Sequence, residues 1–81
     1  MITLNMEGLR DPIPILRVKK AIQRDHKEEN EFKVIISRDD DTRKDFEFFA
    51  RQLDLDMAYT VGKDSGTFEI ILKRRMQNEH V

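Results

Sequence analysis

Asp11 is the side chain best placed to act on a ligand. It sits in Gly8-Leu9-Arg10-Asp11-Pro12-Ile13-Pro14, where an alternating apolar stretch gives way to a segment with two prolines. Proline suits the first turn of a helix, whose N–H groups have no intrahelical partners. The run therefore predicts a helix with Pro12 at its first position and Asp11 as the cap, its carboxylate accepting a backbone N–H. A helix start carries partial positive charge and favours an anion or a reactive group. A carboxylate there can close the helix, present negative charge to a partner, or act as a general base. The last role needs a second titrating or electrophilic group beside it.

Other residues offer less. Asp39, Asp40, Asp41 and Asp45 are oxygen ligands in a short span, but an EF-hand loop needs glycine at its sixth place and an acid at its twelfth. Counted from Asp39, those places hold Lys44 and Ala50, so the acids read as helix caps and a solvated acidic turn. His26 and His80 are isolated in polar segments, and the chain has no cysteine, which removes disulfides, thiolate metal sites and thiol nucleophiles together. No glycine-rich phosphate loop, nucleophile elbow or zinc-finger spacing is present. No metal and no cofactor is expected. Arg10, Arg17, Lys19, Lys20 and Arg24, joined by Lys73, Arg74 and Arg75, are candidates for a phosphate-binding face. Against it stand a formal net charge of −1 and the lack of paired strand aromatics of the RNA-recognition kind.

The elements that must hold these residues follow from periodicity. Ile2, Leu4 and Met6 alternate with polar neighbours as a strand with one buried face. From Pro12 to about Arg24, Pro14, Ile15, Val18, Ala21 and Ile22 share one helical arc, leaving Ile13 and Leu16 outside it beside Arg17 and Lys20. Asp25 to Glu31 is a polar connection. Phe32, Val34 and Ile36 alternate as a second strand, with Ile35 on its outer face. Phe46, Phe49, Ala50 and Leu53 recur at i, i+3, i+4 and i+7 as a second helix from which Phe48 points away. Leu55 to Val61 and Phe68 to Leu72 form two further strands joined by a hairpin turn over Gly62 to Gly66, with Ile71 outward. The order β-α-β-α-β-β, with one apolar stripe per helix, predicts an α/β two-layer sandwich: a mixed four-stranded sheet with both helices on one face. One domain over residues 1–75 and a disordered tail over 76–81 are expected from a chain of 81 residues.

The element order and the Gly8–Pro14 motif resemble the small bacterial TusA/SirA-like sulfur-carrier proteins, whose signature is a strand, Gly-Leu-x-Cys-Pro-x-Pro and a basic helix. The match falls on Gly8, Leu9, Arg10, Pro12 and Pro14. Thr42, Lys44-Asp45, Phe46 and Phe49 stand at the family's helix-two positions, and Phe68 to Arg74 resembles its closing strand. The resemblance runs to about Arg75. It implies a thiolate that accepts sulfane sulfur and passes it on as a persulfide, yet the position of that cysteine is Asp11. Asn5 replaces a usual acid, Asp40 a frequent proline, and Asp54 stands near a position that is often glycine. The sandwich outline also resembles the C-terminal domain of translation initiation factor 3, a fold analogy only.

With no sulfur to carry, the expected role is a non-catalytic protein-binding or regulatory module, with no enzyme activity. Its contact surface is Arg10, Asp11, Pro12, Ile13, Pro14, Leu16 and Arg17, extended by Phe48. The expected partner is a protein, in keeping with the sulfur-relay systems that the resemblance implies. The alternatives are an RNA- or other nucleic-acid-binding domain and an enzyme using Asp11 as general base. No run approaches a membrane span and the N-terminus lacks a signal-peptide pattern, so a cytoplasmic protein without membrane contact is expected. Ile35 and Ile71 on the open sheet face suit a monomer or a weak homodimer.

Overall fold

The computed structural model describes residues 1–75, so the tail expected over 76–81 lies outside the described residues. In chain order the elements are β1 (Ile2–Asn5), α1 (Ile13–Lys20), β2 (Glu31–Ser37), α2 (Asp40–Gln52), β3 (Leu55–Val61) and β4 (Thr67–Arg74). They form the expected two-layer α/β sandwich. The sheet order is β1-β2-β4-β3, with β1 parallel to β2 and the other pairs antiparallel. β4 takes a central place: Phe68, Ile70 and Leu72 are buried on its core face, and Ile71 is half-buried among Thr67, Glu69 and Lys73 on the other. Among the described residues no helix is long and apolar enough to cross a membrane.

The core lies between the sheet and the helices. Phe32, Val34 and Ile36 of β2 and Phe68, Ile70 and Leu72 of β4 meet Val18 and Ile22 from the first helical segment and Phe46, Phe49 and Ala50 from α2. Phe46 and Phe49 pack edge to face, with ring centroids 5.9 Å apart.

Two local departures from the sequence expectation have clear causes. The first helical segment leaves α geometry after Lys20 and finishes as a π-helical turn over Ala21–Asp25. There the His26 N–H donates to the Ala21 carbonyl at 2.7 Å, five residues back, which leaves the Ile22 carbonyl without its usual helical donor. Arg74 supplies one, reaching across from the last residue of β4. Its guanidinium donates to the carbonyls of Ile22 (2.7 Å), Glu29 (2.7 Å) and Lys27 (3.1 Å).

The second departure concerns Asp11, which is not the helix cap. Pro12 occupies the cap position, no side chain caps α1, and the second helical residue is Pro14. A cap reaches the N–H of the second or third helical residue. Asp11 stands one residue too early, and Pro14 has no N–H to offer. In α2 the expectation holds: Asp39 is the cap, accepting from the Asp41 N–H at 2.9 Å.

Candidate functional site

β1 and β2 are parallel, so α1 and α2 both begin at the C-terminal ends of their preceding strands, at one end of the sandwich. The turn after β1 is fixed there. Gly8 has φ +84°, a conformation that glycine adopts without penalty, and its N–H donates to Ser37 Oγ at 2.8 Å at the end of β2. Leu9 N–H returns to the Met6 carbonyl at 3.2 Å, and Met6 N–H pairs with the Ile35 carbonyl at 2.7 Å. This turn delivers Arg10 and Asp11 to the mouth of the helix pair.

Two depressions meet at Asp11. One is a polar cleft of about 440 Å³ lined by Gly8 to Asp11, Ile36, Ser37, Asp39 and Thr42. Within it the Thr42 hydroxyl lies 3.3 Å from Asp11 Oδ1 and 3.2 Å from Asp39 Oδ2, and its one proton serves either carboxylate in turn. The end of the fold that would attract an anion is thus already supplied with the chain's own carboxylates.

The other depression is a groove of about 540 Å³ between α1 and α2. Ile15, Leu16, Phe48, Phe49 and Leu53 give it apolar walls, Asp11, Pro12 and Asp45 mark one end, and Lys19, Gln23 and Gln52 line the remainder. Leu16 is 54% exposed and Phe48 58% exposed. Large apolar side chains left in water beside a concave surface are a feature of binding sites rather than of a finished core.

Asp11 and Asp45 form a carboxyl pair at the groove's mouth. The Asp45 carboxyl titrates above its ordinary value of 3.8; partial desolvation is the largest cause, followed by the charge of Asp11, a hydrogen bond with Asp11, and the charges of Asp41 and Asp39. A protonated Asp45 donates to Asp11, whereas two ionised carboxylates repel.

Of the residues expected to make the contact surface, Asp11, Pro12, Leu16 and Phe48 come together around the groove. Arg10 lines the polar cleft instead. Ile13 and Arg17 are exposed without lining either depression, and Pro14 is fully buried, packing α1 onto the core rather than facing a partner. Asp45, grouped by its sequence with a solvated acidic turn, lies inside α2 and lines the groove; Asp45, Phe48 and Gln52 fall at i, i+3 and i+7, a stripe beside the Phe46-Phe49-Ala50-Leu53 face. The basic residues do not gather as one face: Arg74 is spent on backbone carbonyls, and Arg75 is paired with Asp54 at 2.8 Å and Asp56 at 2.9 Å.

Neither a protein-family model nor a curated protein matches the chain. Among solved structures it is similar to the crystal structure of a SirA-like protein from Desulfitobacterium hafniense, with a TM-score of 0.78 and 27% sequence identity over 90% of this chain and 96% of that one. The chain has a SirA/TusA-like fold.

Proposed function

We propose that this protein is a non-catalytic relative of the TusA/SirA-like sulfur carriers, which binds a protein partner through the groove between α1 and α2. The observation that carries this reading is the pairing of exposed Leu16 and Phe48 across an apolar groove that opens beside Asp11, the position of the family's cysteine. Persulfide chemistry needs a thiolate, and the chain has no cysteine. Asp11 keeps a negative charge where a thiolate or persulfide would stand. The matching partner segment carries apolar side chains for the groove and a basic residue for Asp11.

Affinity capture from the native host tests the reading. Proteins retained by the wild type and by Ile35→Glu, a change on the opposite sheet face, are expected to be lost from Leu16→Glu. Equal capture by all three sinks it. A second arm restores the thiol: Asp11→Cys is expected to accept sulfur from a cysteine desulfurase, and a folded variant that takes none argues against a partner drawn from a sulfur relay.

A second reading has its own support. General-base action by Asp11 requires a second titrating group, and Asp45 supplies one. The two readings separate at Asp45→Asn, which removes the acid of the pair but keeps the groove's shape. Partner capture is expected to survive it, whereas acid–base chemistry is not.

A further inference from the structure

We infer that two copies of this chain associate through the outer edges of their β3 strands, antiparallel, with Ala58 of each on the two-fold axis. β3 is the last strand of the sheet, and among the described residues nothing pairs with its outer side. In an antiparallel ladder alternate residues exchange both backbone bonds with the neighbouring strand. Gly62 N–H donates to the Thr67 carbonyl at 2.9 Å, which fixes the alternation. Thr60, Ala58 and Asp56 therefore serve β4, and Leu55, Met57, Tyr59 and Val61 direct their N–H and C=O groups outward. The other side of β4 agrees, since Arg74 N–H donates to Asn30 beside β2.

Past the exposed Asp56, this edge lacks the devices that keep sheet edges apart. Over Met57 to Val61 there is no charge, no proline and no glycine. Tyr59 and Val61 are each 43% exposed although their side chains lie on the same sheet face as the core. The opposite edge is a poorer template, because β1 has four residues against seven in β3.

The strand is complementary to itself in one register. Antiparallel pairing about Ala58 sets Leu55 opposite the partner's Val61 and Met57 opposite the partner's Tyr59, uses every outward backbone group, and covers the two exposed side chains. Charge favours the same direction. The strand begins beside Asp54 and Asp56, which already hold Arg75, and ends beside Lys63, so antiparallel pairing adds the partner's Lys63 at this acidic end. Parallel pairing would stack Asp56 on its own copy. A second copy therefore satisfies the edge in backbone bonds, apolar cover and charge together.

Light scattering on size-exclusion fractions over a range of concentrations is expected to give twice the 9.7 kDa chain mass at the upper end. Ala58→Lys, a change at an exposed position, sets like charges face to face on the axis and is expected to return the mass to that of one chain with an unchanged circular dichroism spectrum. The absence of native cysteine permits a second arm. Opposed residues in a non-hydrogen-bonded antiparallel pair have Cα atoms about 4.5 Å apart, within disulfide reach. Ala58→Cys is expected to crosslink under oxidation and Thr60→Cys is not, because the two copies of Thr60 stand about 13 Å apart in this register. A single-chain mass at every concentration overturns the inference. So does a dimer that persists in Ala58→Lys, or one that crosslinks through Thr60→Cys or Ile35→Cys instead of Ala58→Cys.

Discussion

Asp11 and Asp45 show how a pair can matter where a single side chain does not. The folded Asp45 carboxyl holds its proton above the ordinary value of 3.8. Its contribution to stability is fully present below that value and is lost as pH rises through the folded value, leaving two like charges at the groove's mouth. Asp45→Asn is therefore expected to raise the melting temperature at neutral pH and to leave it unchanged below pH 3.8. The gain should stay under about 1 kcal/mol, because both residues are exposed and solvent screens them. Thermal unfolding of both proteins across that pH range measures it. Gly8 invites a simpler test. An added Cβ would meet no atom within 4 Å, so Gly8→Ala isolates the left-handed backbone at φ +84°. A loss of about 1–2 kcal/mol in urea denaturation is expected, with Gly8→Asn in between.

The π-helical turn and β4 depend on each other. Arg74 takes the carbonyl that the turn sets free, and its guanidinium also lies 5.8 Å from the centroid of the Phe32 ring. Arg74→Ala leaves partly buried carbonyls without donors and is expected to destabilise the protein by about 3 kcal/mol, read from the urea midpoint. Arg74→Lys is expected to recover little, since an ammonium cannot span carbonyls that a planar fork of donors reaches together. Hydrogen exchange should locate the damage: amide protection falls first at His26, whose N–H closes the turn. This dependence was invisible in the sequence, where Arg74 is one cation in the run Lys73-Arg74-Arg75. Which of three adjacent cations folds inward is decided by the strand's alternation and by the segment packed beside it.

For the molecule as a whole, one small core carries the fold. A chain of this size has roughly 5–10 kcal/mol to lose. Phe46 is fully buried between α2 and the sheet, and Phe46→Ala is expected to cost about 3–5 kcal/mol. That variant should be partly unfolded near physiological temperature, which loss of the cooperative calorimetric transition would register. Both helices start at one end of the sandwich, so the residues that interrupt the core pattern, Leu16 and Phe48, come to share a groove there. The edge of β3 lies apart from that groove: no residue of β3 lines it. The proposed copy-to-copy contact and the proposed partner groove therefore use separate surfaces.

The sequence determined the element order, the helix and strand faces, the SirA/TusA-like resemblance and the absence of any cysteine, because period-two and period-3.6 patterns and turn residues act over a few neighbours. It also marked Leu16 and Phe48 as apolar residues without a place in the core. Only the tertiary structure decided that they meet, that Asp45 faces Asp11, that Pro12 rather than Asp11 closes α1, and that β4 rather than β3 lies beside β2. All but the capping of α1 depend on residues far apart in the chain. Strand order follows from β4 pairing with both β2 and β3, and Asp11 turns to Thr42, 31 residues away, once Pro14 denies it a donor in its own helix.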